Sequence, residues 1–126
     1  MKTLQEERNL TYLFISHDLS VVEHISDTIG VMYLGGLVET GETADIFSNP
    51  LHPYTMGLQK SKPLITSDSN APLYSIPGQV PNPINLPNNC YFKNRCGKCT
   101  GKCSGEYPKE IKINDEHYVS CYLYEE

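Results

Sequence analysis

The sequence has no long hydrophobic run: its longest apolar stretches, residues 10–15 and 29–34, are six residues each. A helix that crosses a bilayer needs roughly 20 apolar residues, so neither stretch predicts a transmembrane segment. The first nine residues also lack the apolar core of a secretory signal peptide. We therefore expect a cytosolic chain.

Positive charge is scarce as well. Ten Lys and Arg residues stand against fifteen Asp and Glu residues, which gives a net charge of −5 over 126 residues. This balance argues against a protein that neutralises nucleic-acid phosphates and against a polybasic membrane anchor. The length suits one ordinary domain rather than two.

Cysteine is absent from the first 89 residues, and all five cysteines lie beyond them: Cys90, Cys96, Cys99, Cys103 and Cys121. In a reducing compartment such clustering predicts metal ligation rather than a disulfide scaffold. The spacing matches neither a zinc ribbon nor a bacterial ferredoxin, so structural zinc and an iron–sulfur cluster both remain open. Nearby basic residues are expected to lower the thiol pKa values; they are Lys93, Arg95, Lys98 and Lys102.

The pattern of residues 1–48 is typical of an α/β protein. It predicts a buried parallel strand over 10–15, a helix over 19–27 capped by Asp18, a strand over 29–34 and a hairpin at Gly35-Gly36. A parallel sheet with so few strands leaves its faces open. We therefore expect this region to be the last part of a larger α/β domain.

Two short helices and a connector follow. Residues 43–48 and 54–60 are helix candidates, separated by Pro50 and Pro53. Six prolines then interrupt residues 61–89, which predicts an extended connector without regular structure.

His17 is the first candidate for chemistry, because it lies between the first predicted strand and the first predicted helix after it. Ligands of open α/β sheets bind beyond the carboxyl ends of strands. An imidazole there could donate a hydrogen bond to a phosphate or orient an attacking water. The structural alternative is a turn histidine that satisfies nearby backbone groups.

Three segments, residues 13–19, 27–32 and 36–41, resemble the end of the ATP-binding domain of ABC transporters. The resemblance implies that His17 is the switch-loop residue, a catalytic and nucleotide-contacting histidine that meets the γ-phosphate across a nucleotide sandwich.

The next segments narrow the resemblance. Asn49–Thr55 is similar to the His-Pro-Tyr signature of oligopeptide and dipeptide ABC importers, and the tail is similar to theirs from Ile76-Pro77-Gly78 to His117-x-Val-x-Cys121. This similarity implies a four-iron four-sulfur cluster, with zinc as the alternative, on four ligands: Cys90, Cys96, Cys103 and Cys121. Cys99 departs from the family pattern and could replace Cys103 as a ligand.

The resemblance also implies an organisation. Residues 1–48 would be the C-terminal remnant of the nucleotide-binding domain, 49–89 the His-Pro-Tyr segment and proline-rich connector, and 90–126 the Cys-rich metal-binding tail. The expected fold class is α/β: a truncated C-terminal part of a P-loop ABC ATPase domain, with strand, helix, strand and hairpin, followed by an irregular metal-stapled tail.

The implied function is that of the ATP-binding subunit of a peptide importer, with ATP and Mg²⁺ as cofactors of the full-length family. The sequence has no phosphate loop, no signature motif and no Asp-Glu strand end. We therefore expect this chain alone to be inactive. The implied partners are a second ATP-binding subunit and two permease subunits at the inner face of the cell membrane. The alternative is a freestanding zinc-binding interaction module without a transport role.

Overall fold

Four antiparallel strands form one sheet in the order β1-β2-β4-β3 in the computed structural model, which describes residues 1–63 and 72–126. The strands are β1 Thr28–Tyr33, β2 Gly36–Glu42, β3 Ile111–Lys112 and β4 Tyr118–Val119. β4 pairs with β2 through Glu39 opposite Val119 and Thr40 opposite Tyr118. The end of the chain therefore completes a sheet that its first half begins.

β1 and β2 form the hairpin that the sequence predicts. Tyr33 pairs with Gly36, so the two turn residues are Leu34 and Gly35, one position earlier than the glycine pair suggested. Both adopt positive φ angles, 48° at Leu34 and 81° at Gly35. Two-residue turns of this kind match the right-handed twist of the strands, and glycine adopts the conformation without steric cost.

Four short helices and three single 3₁₀ turns complete the described secondary structure. The helices are α1 Lys2–Arg8, α2 Leu19–Ile25, α3 Thr43–Ser48 and α4 Pro53–Lys60, and the 3₁₀ turns are Lys93–Arg95, Gly101–Ser104 and Tyr122–Tyr124. The Asp18 carboxylate accepts hydrogen bonds from the backbone N–H groups of Ser20 and Val21, so the predicted cap of α2 is confirmed. α4 begins at Pro53, where a missing N–H has no cost.

Residues 10–15 do not form the predicted strand. Leu13 and Ile15 expose 92% and 97% of their surface, and α1 before them has no buried residue. A parallel strand buried on both faces needs strands on each side and helices above and below, and none of the four described strands pairs with residues 10–15. The prediction of a strand here was wrong, and the observed sheet is antiparallel rather than parallel.

Two groups of buried side chains hold the tail against the first half of the chain. Tyr33, Val38 and Phe92 form one of them, in which the Phe92 ring meets the Tyr33 ring edge-on at a centroid separation of 5.3 Å. The second consists of Leu51, Val119 and Cys121. Each group combines residues from both halves, so the tail folds onto the hairpin.

The connector has no helix or strand over residues 72–89, and its predicted extended part at 64–71 lies outside the described residues. Arg95 fixes its first described turn, because its guanidinium donates to the carbonyls of Ile76 and Pro77, both at 3.1 Å. Ile76 packs against α4 so closely that a Cβ at Gly57 would lie 2.8 Å from its Cγ1. No described helix has the length and apolar character needed to cross a membrane.

Candidate functional site

Four of the five cysteines line one cavity in the tail: Cys90, Cys96, Cys103 and Cys121. The cavity walls also include the rings of His52 and Phe92. The 3₁₀ turns bring together thiols that are far apart in sequence, and the backbone N–H of Cys90 donates to the carbonyl of Cys103 at 3.2 Å. These four are the residues that the family resemblance implied as ligands.

Burial has the largest effect on the pKa values of three of these thiols. Desolvation raises the pKa of Cys90 to about 11, and it also raises the pKa values of Cys96 and Cys121. Lys98 does lower the pKa of Cys96, but less than burial raises it. Lys98 therefore acts in the expected direction, but the net pKa of the Cys96 thiol is raised, since removal from water outweighs the surrounding positive charge.

Cys99 does not share this cavity with the other four cysteines. It is exposed, and it is not among the residues that line the cavity. Its backbone N–H donates to the Cys96 carbonyl at 3.3 Å, which places it at the end of a tight turn. Across residues 1–63 and 72–126, no three His, Cys, Asp or Glu side chains are arranged so that they could hold one metal ion.

A buried carboxylate lies behind the cavity. Glu39, on β2, has a side chain with no exposed surface, and its two oxygens accept three hydrogen bonds. Oε1 accepts from the backbone N–H of Leu51 at 2.9 Å and from His117 Nε2 at 2.7 Å, and Oε2 accepts from the backbone N–H of His52 at 2.9 Å. We call Glu39, Leu51, His52 and His117 the Glu39 cluster. It joins β2, the His-Pro-Tyr segment and the start of β4.

The His-Pro-Tyr segment takes its shape from this cluster. With the His52 N–H held by Glu39, the imidazole Nδ1 accepts from the backbone N–H of Tyr54 at 3.0 Å and caps α4. Tyr54 packs on Tyr33 at a ring separation of 4.7 Å. Desolvation lowers the pKa of His52 to about 4, and the opposing effect of nearby Glu39 is smaller, so His52 is neutral at pH 7.

Sequence reasoning missed Glu39 altogether. A period-two pattern along β2 does not mark it, because Val38 and Glu39 are adjacent in sequence and both are buried. The sequence offers only an indirect indication of this cluster. Glu39 follows two apolar residues in a strand, and two histidines that could pair with it, His52 and His117, lie further along the chain.

His17 lies where the sequence placed it, in the bend immediately before α2, and it is exposed. The preceding Ser16 side chain accepts a hydrogen bond from the backbone N–H of Asp18 at 3.1 Å, which helps to shape the bend. His17 does not line the cysteine cavity. The two candidate sites of this chain are therefore separate.

Comparisons with known proteins show which family the chain belongs to. The family model for the oligopeptide/dipeptide transporter C-terminal region matches residues 38–103. The chain therefore belongs to this family, whose matched region runs from β2 through three of the four cavity cysteines.

Individual relatives extend the match over nearly the whole chain. It is 45% identical over 122 residues to the dipeptide transport ATP-binding protein DppF of Haemophilus influenzae, covering 97% of this chain and 37% of the relative. It is 45% identical over 126 residues to the oligopeptide transport ATP-binding protein AppF of Bacillus subtilis, covering 98% and 38%. The dipeptide transport ATP-binding protein DppF of Escherichia coli is 43% identical over 122 residues, with 97% and 36% covered.

The chain thus spans less than two-fifths of the length of these relatives. It matches the C-terminal region of peptide-transport ATP-binding proteins, as the resemblance implied. These matches do not favour the alternative of a freestanding zinc-binding module.

The Glu39 cluster makes a direct prediction about stability. In E39Q the side-chain nitrogen cannot accept a hydrogen bond, so one backbone N–H or His117 loses its acceptor in a buried place. We expect the free energy of unfolding to fall by about 3 kcal/mol or more in urea titration. E42Q, on the same strand but exposed, is the matched control and should change it by less than about 0.5 kcal/mol. Equal effects of the two variants would contradict this role of Glu39.

His52 predicts a dependence of stability on pH. Its folded-state pKa of about 4 lies below the ordinary histidine pKa of 6.5. Its contribution is therefore complete above pH 6.5 and is lost as the pH falls towards 4, by about 3 kcal/mol in all. H52N keeps a side-chain oxygen that can cap α4 but does not titrate.

The measurement for His52 is urea unfolding of both proteins at pH 7 and pH 4. H52N is expected to be less stable at pH 7, because it loses packing against Phe92, and to lose less stability than the wild type on acidification. Parallel pH profiles of the two proteins would show that His52 is not the group responsible.

Proposed function

We propose that this chain is the C-terminal part of the ATP-binding subunit of an importer for short peptides. The observation that carries the proposal is the family match over residues 38–103. The Glu39 cluster supports it physically, because it ties the His-Pro-Tyr segment to both β2 and the tail. The match thus includes three of the four residues of the Glu39 cluster.

Under this proposal ATP and Mg²⁺ are held mainly by residues outside the chain, because the sequence has no phosphate loop. The chain alone would then be inactive. The exposed side chains of Leu13 and Ile15 fit this proposal. An apolar segment in water suits a position that other parts of an ATP-binding domain would cover.

His17 would act on the nucleotide. Its imidazole is exposed and lies at the bend before α2, so it is free to donate a hydrogen bond to a terminal phosphate oxygen. In that position it would stabilise charge that develops during phosphoryl transfer, or orient the attacking water. A role across a nucleotide sandwich requires a second ATP-binding subunit as a partner.

We further propose that the tail holds a four-iron four-sulfur cluster. Iron–sulfur clusters of this type take four Cys thiolates, one on each iron, so the sulfurs surround a volume instead of converging on one point. Four thiols line one cavity, and their number matches the four Cys ligands that such a cluster takes. When bound, the cluster supplies a covalent cross-link among four points of the tail.

The proposed organisation has three parts, at residues 1–48, 49–89 and 90–126. Two permease subunits would be the remaining partners, and the assembly would lie at the inner face of the cell membrane. The proposal for these partners comes from the relatives, whose names describe them as ATP-binding proteins of peptide transport.

The test of the nucleotide role uses the complete ATP-binding subunit that contains this sequence. We expect H17A to reduce ATP hydrolysis by about 10²-fold or more, with ATP binding largely retained, since a histidine acting on the transition state affects turnover more than affinity. H24A, an exposed histidine on α2, is the matched control. Unchanged hydrolysis in H17A would refute the proposed role.

The test of the metal proposal is anaerobic purification followed by iron, sulfide and zinc analysis. We expect four iron and four sulfide per chain with absorbance in the visible range. Serine at any of the four cavity positions should reduce iron content and absorbance, whereas C99S should retain both. A colourless protein with one zinc would exclude the cluster.

A further inference from the structure

Cys99 is the one thiol that the proposed cluster does not use, and its surroundings give it a specific neighbour. Its Sγ lies 3.6 Å from the carbonyl oxygen of Thr100. The same oxygen accepts the backbone N–H of Cys103 at 3.1 Å. Cys99 and Cys103 therefore converge on a single carbonyl, while the Thr100 hydroxyl lies 3.8 Å from the Cys103 sulfur.

The alternative neighbour, Cys96, is held differently. The backbone N–H of Lys98 donates to its sulfur at 3.4 Å, and its thiol lines the cavity. Partial desolvation raises the pKa of the Cys99 thiol, and among neighbouring groups Cys103 raises it more than Cys96 does. The Cys99 side chain also lies within hydrogen-bonding reach of Cys103, which makes Cys103 the nearer partner.

The segment between the two cysteines can also accommodate a bond. It contains Gly101, where an added Cβ would meet no atom within 4 Å, so the backbone there has room to adjust. A disulfide requires Cα atoms about 4.4–6.8 Å apart, so closing the bond would use this freedom to bring the two cysteines together.

We propose that Cys99 and Cys103 form a reversible disulfide when the cavity holds no metal group. The disulfide can form whether or not the proposed cluster exists, but its effect on loading of the site rests on that proposal. The bond would remove Cys103 from the four cavity thiols and so block loading of the site. Cys99 is then a redox-sensitive residue of the tail rather than a spare ligand.

The oxidant is a low-molecular-weight disulfide. The exposed Cys99 sulfur attacks one sulfur of the oxidant, which forms a mixed disulfide and releases one thiol. The Cys103 sulfur then attacks the Cys99 sulfur, forms the internal bond and releases the second thiol. Two electrons pass from the two cysteines to the oxidant, and the two cysteine protons appear on the released thiols or in solvent.

The test treats the metal-free 126-residue chain with oxidised glutathione, blocks free thiols and digests the product with trypsin. Cleavage after Arg95, Lys98 and Lys102 places Cys96, Cys99 and Cys103 on separate peptides. We expect the main linked product to join the peptide of residues 99–102 to that of residues 103–109, in several-fold excess over a link between residues 96–98 and 99–102.

Two variants sharpen the assignment. C96S is the matched control and should form the linked peptides as the wild type does, whereas C99S should leave Cys103 free for the blocking reagent. A dominant Cys96–Cys99 link, or oxidation of Cys103 in C99S to the same extent, would overturn the proposal.

A second measurement separates this inference from the cluster proposal. Oxidised and reduced chains are incubated anaerobically with iron and sulfide, without added thiol. We expect the oxidised wild type to lose most of its iron uptake and C99S to be unaffected by the oxidant. If the reduced wild type takes up no iron, the cluster proposal fails, and the peptide map alone decides whether the disulfide forms. Equal uptake by oxidised and reduced wild type would refute the blocking role.

Discussion

The structure depends on one buried carboxylate. The Glu39 side chain has no exposed surface, and a buried carboxyl group is tolerated only when hydrogen bonds replace its hydration. Leu51, His52 and His117 supply these bonds from two distant segments. The same three bonds fix where the His-Pro-Tyr segment starts and where β4 enters the sheet, so three parts of the chain share a single fixed point.

The cysteine cavity is built on this support. His52, positioned through its backbone by Glu39, forms part of the cavity wall, and Cys121 follows two residues after Val119, which pairs with Glu39 on the sheet. The segments that carry the thiols contain little regular structure beyond short 3₁₀ turns. Packing against the Glu39 cluster and the rings of Phe92 and Tyr33 therefore fixes the arrangement of the thiols.

The sequence was sufficient where local chemistry decides the outcome. The cap of α2 at Asp18, the hairpin around Gly35 and the start of α4 at Pro53 all follow from nearby residues. It failed at residues 10–15, where strand formation needs neighbours that the described chain lacks, and at Glu39, whose burial depends on His117 far along the chain. The raised thiol pKa values likewise come from tertiary burial, which charge counting cannot reveal.

The sheet order carries one more consequence. β4 pairs with the edge of β2 that the hairpin alone would leave open. The outer strand, β3, is only two residues long and carries Lys112. Unpaired strand edges can form hydrogen bonds with strands of other molecules, and short or charged outer strands make such pairing less favourable. The tail therefore shields one side of the hairpin against self-association.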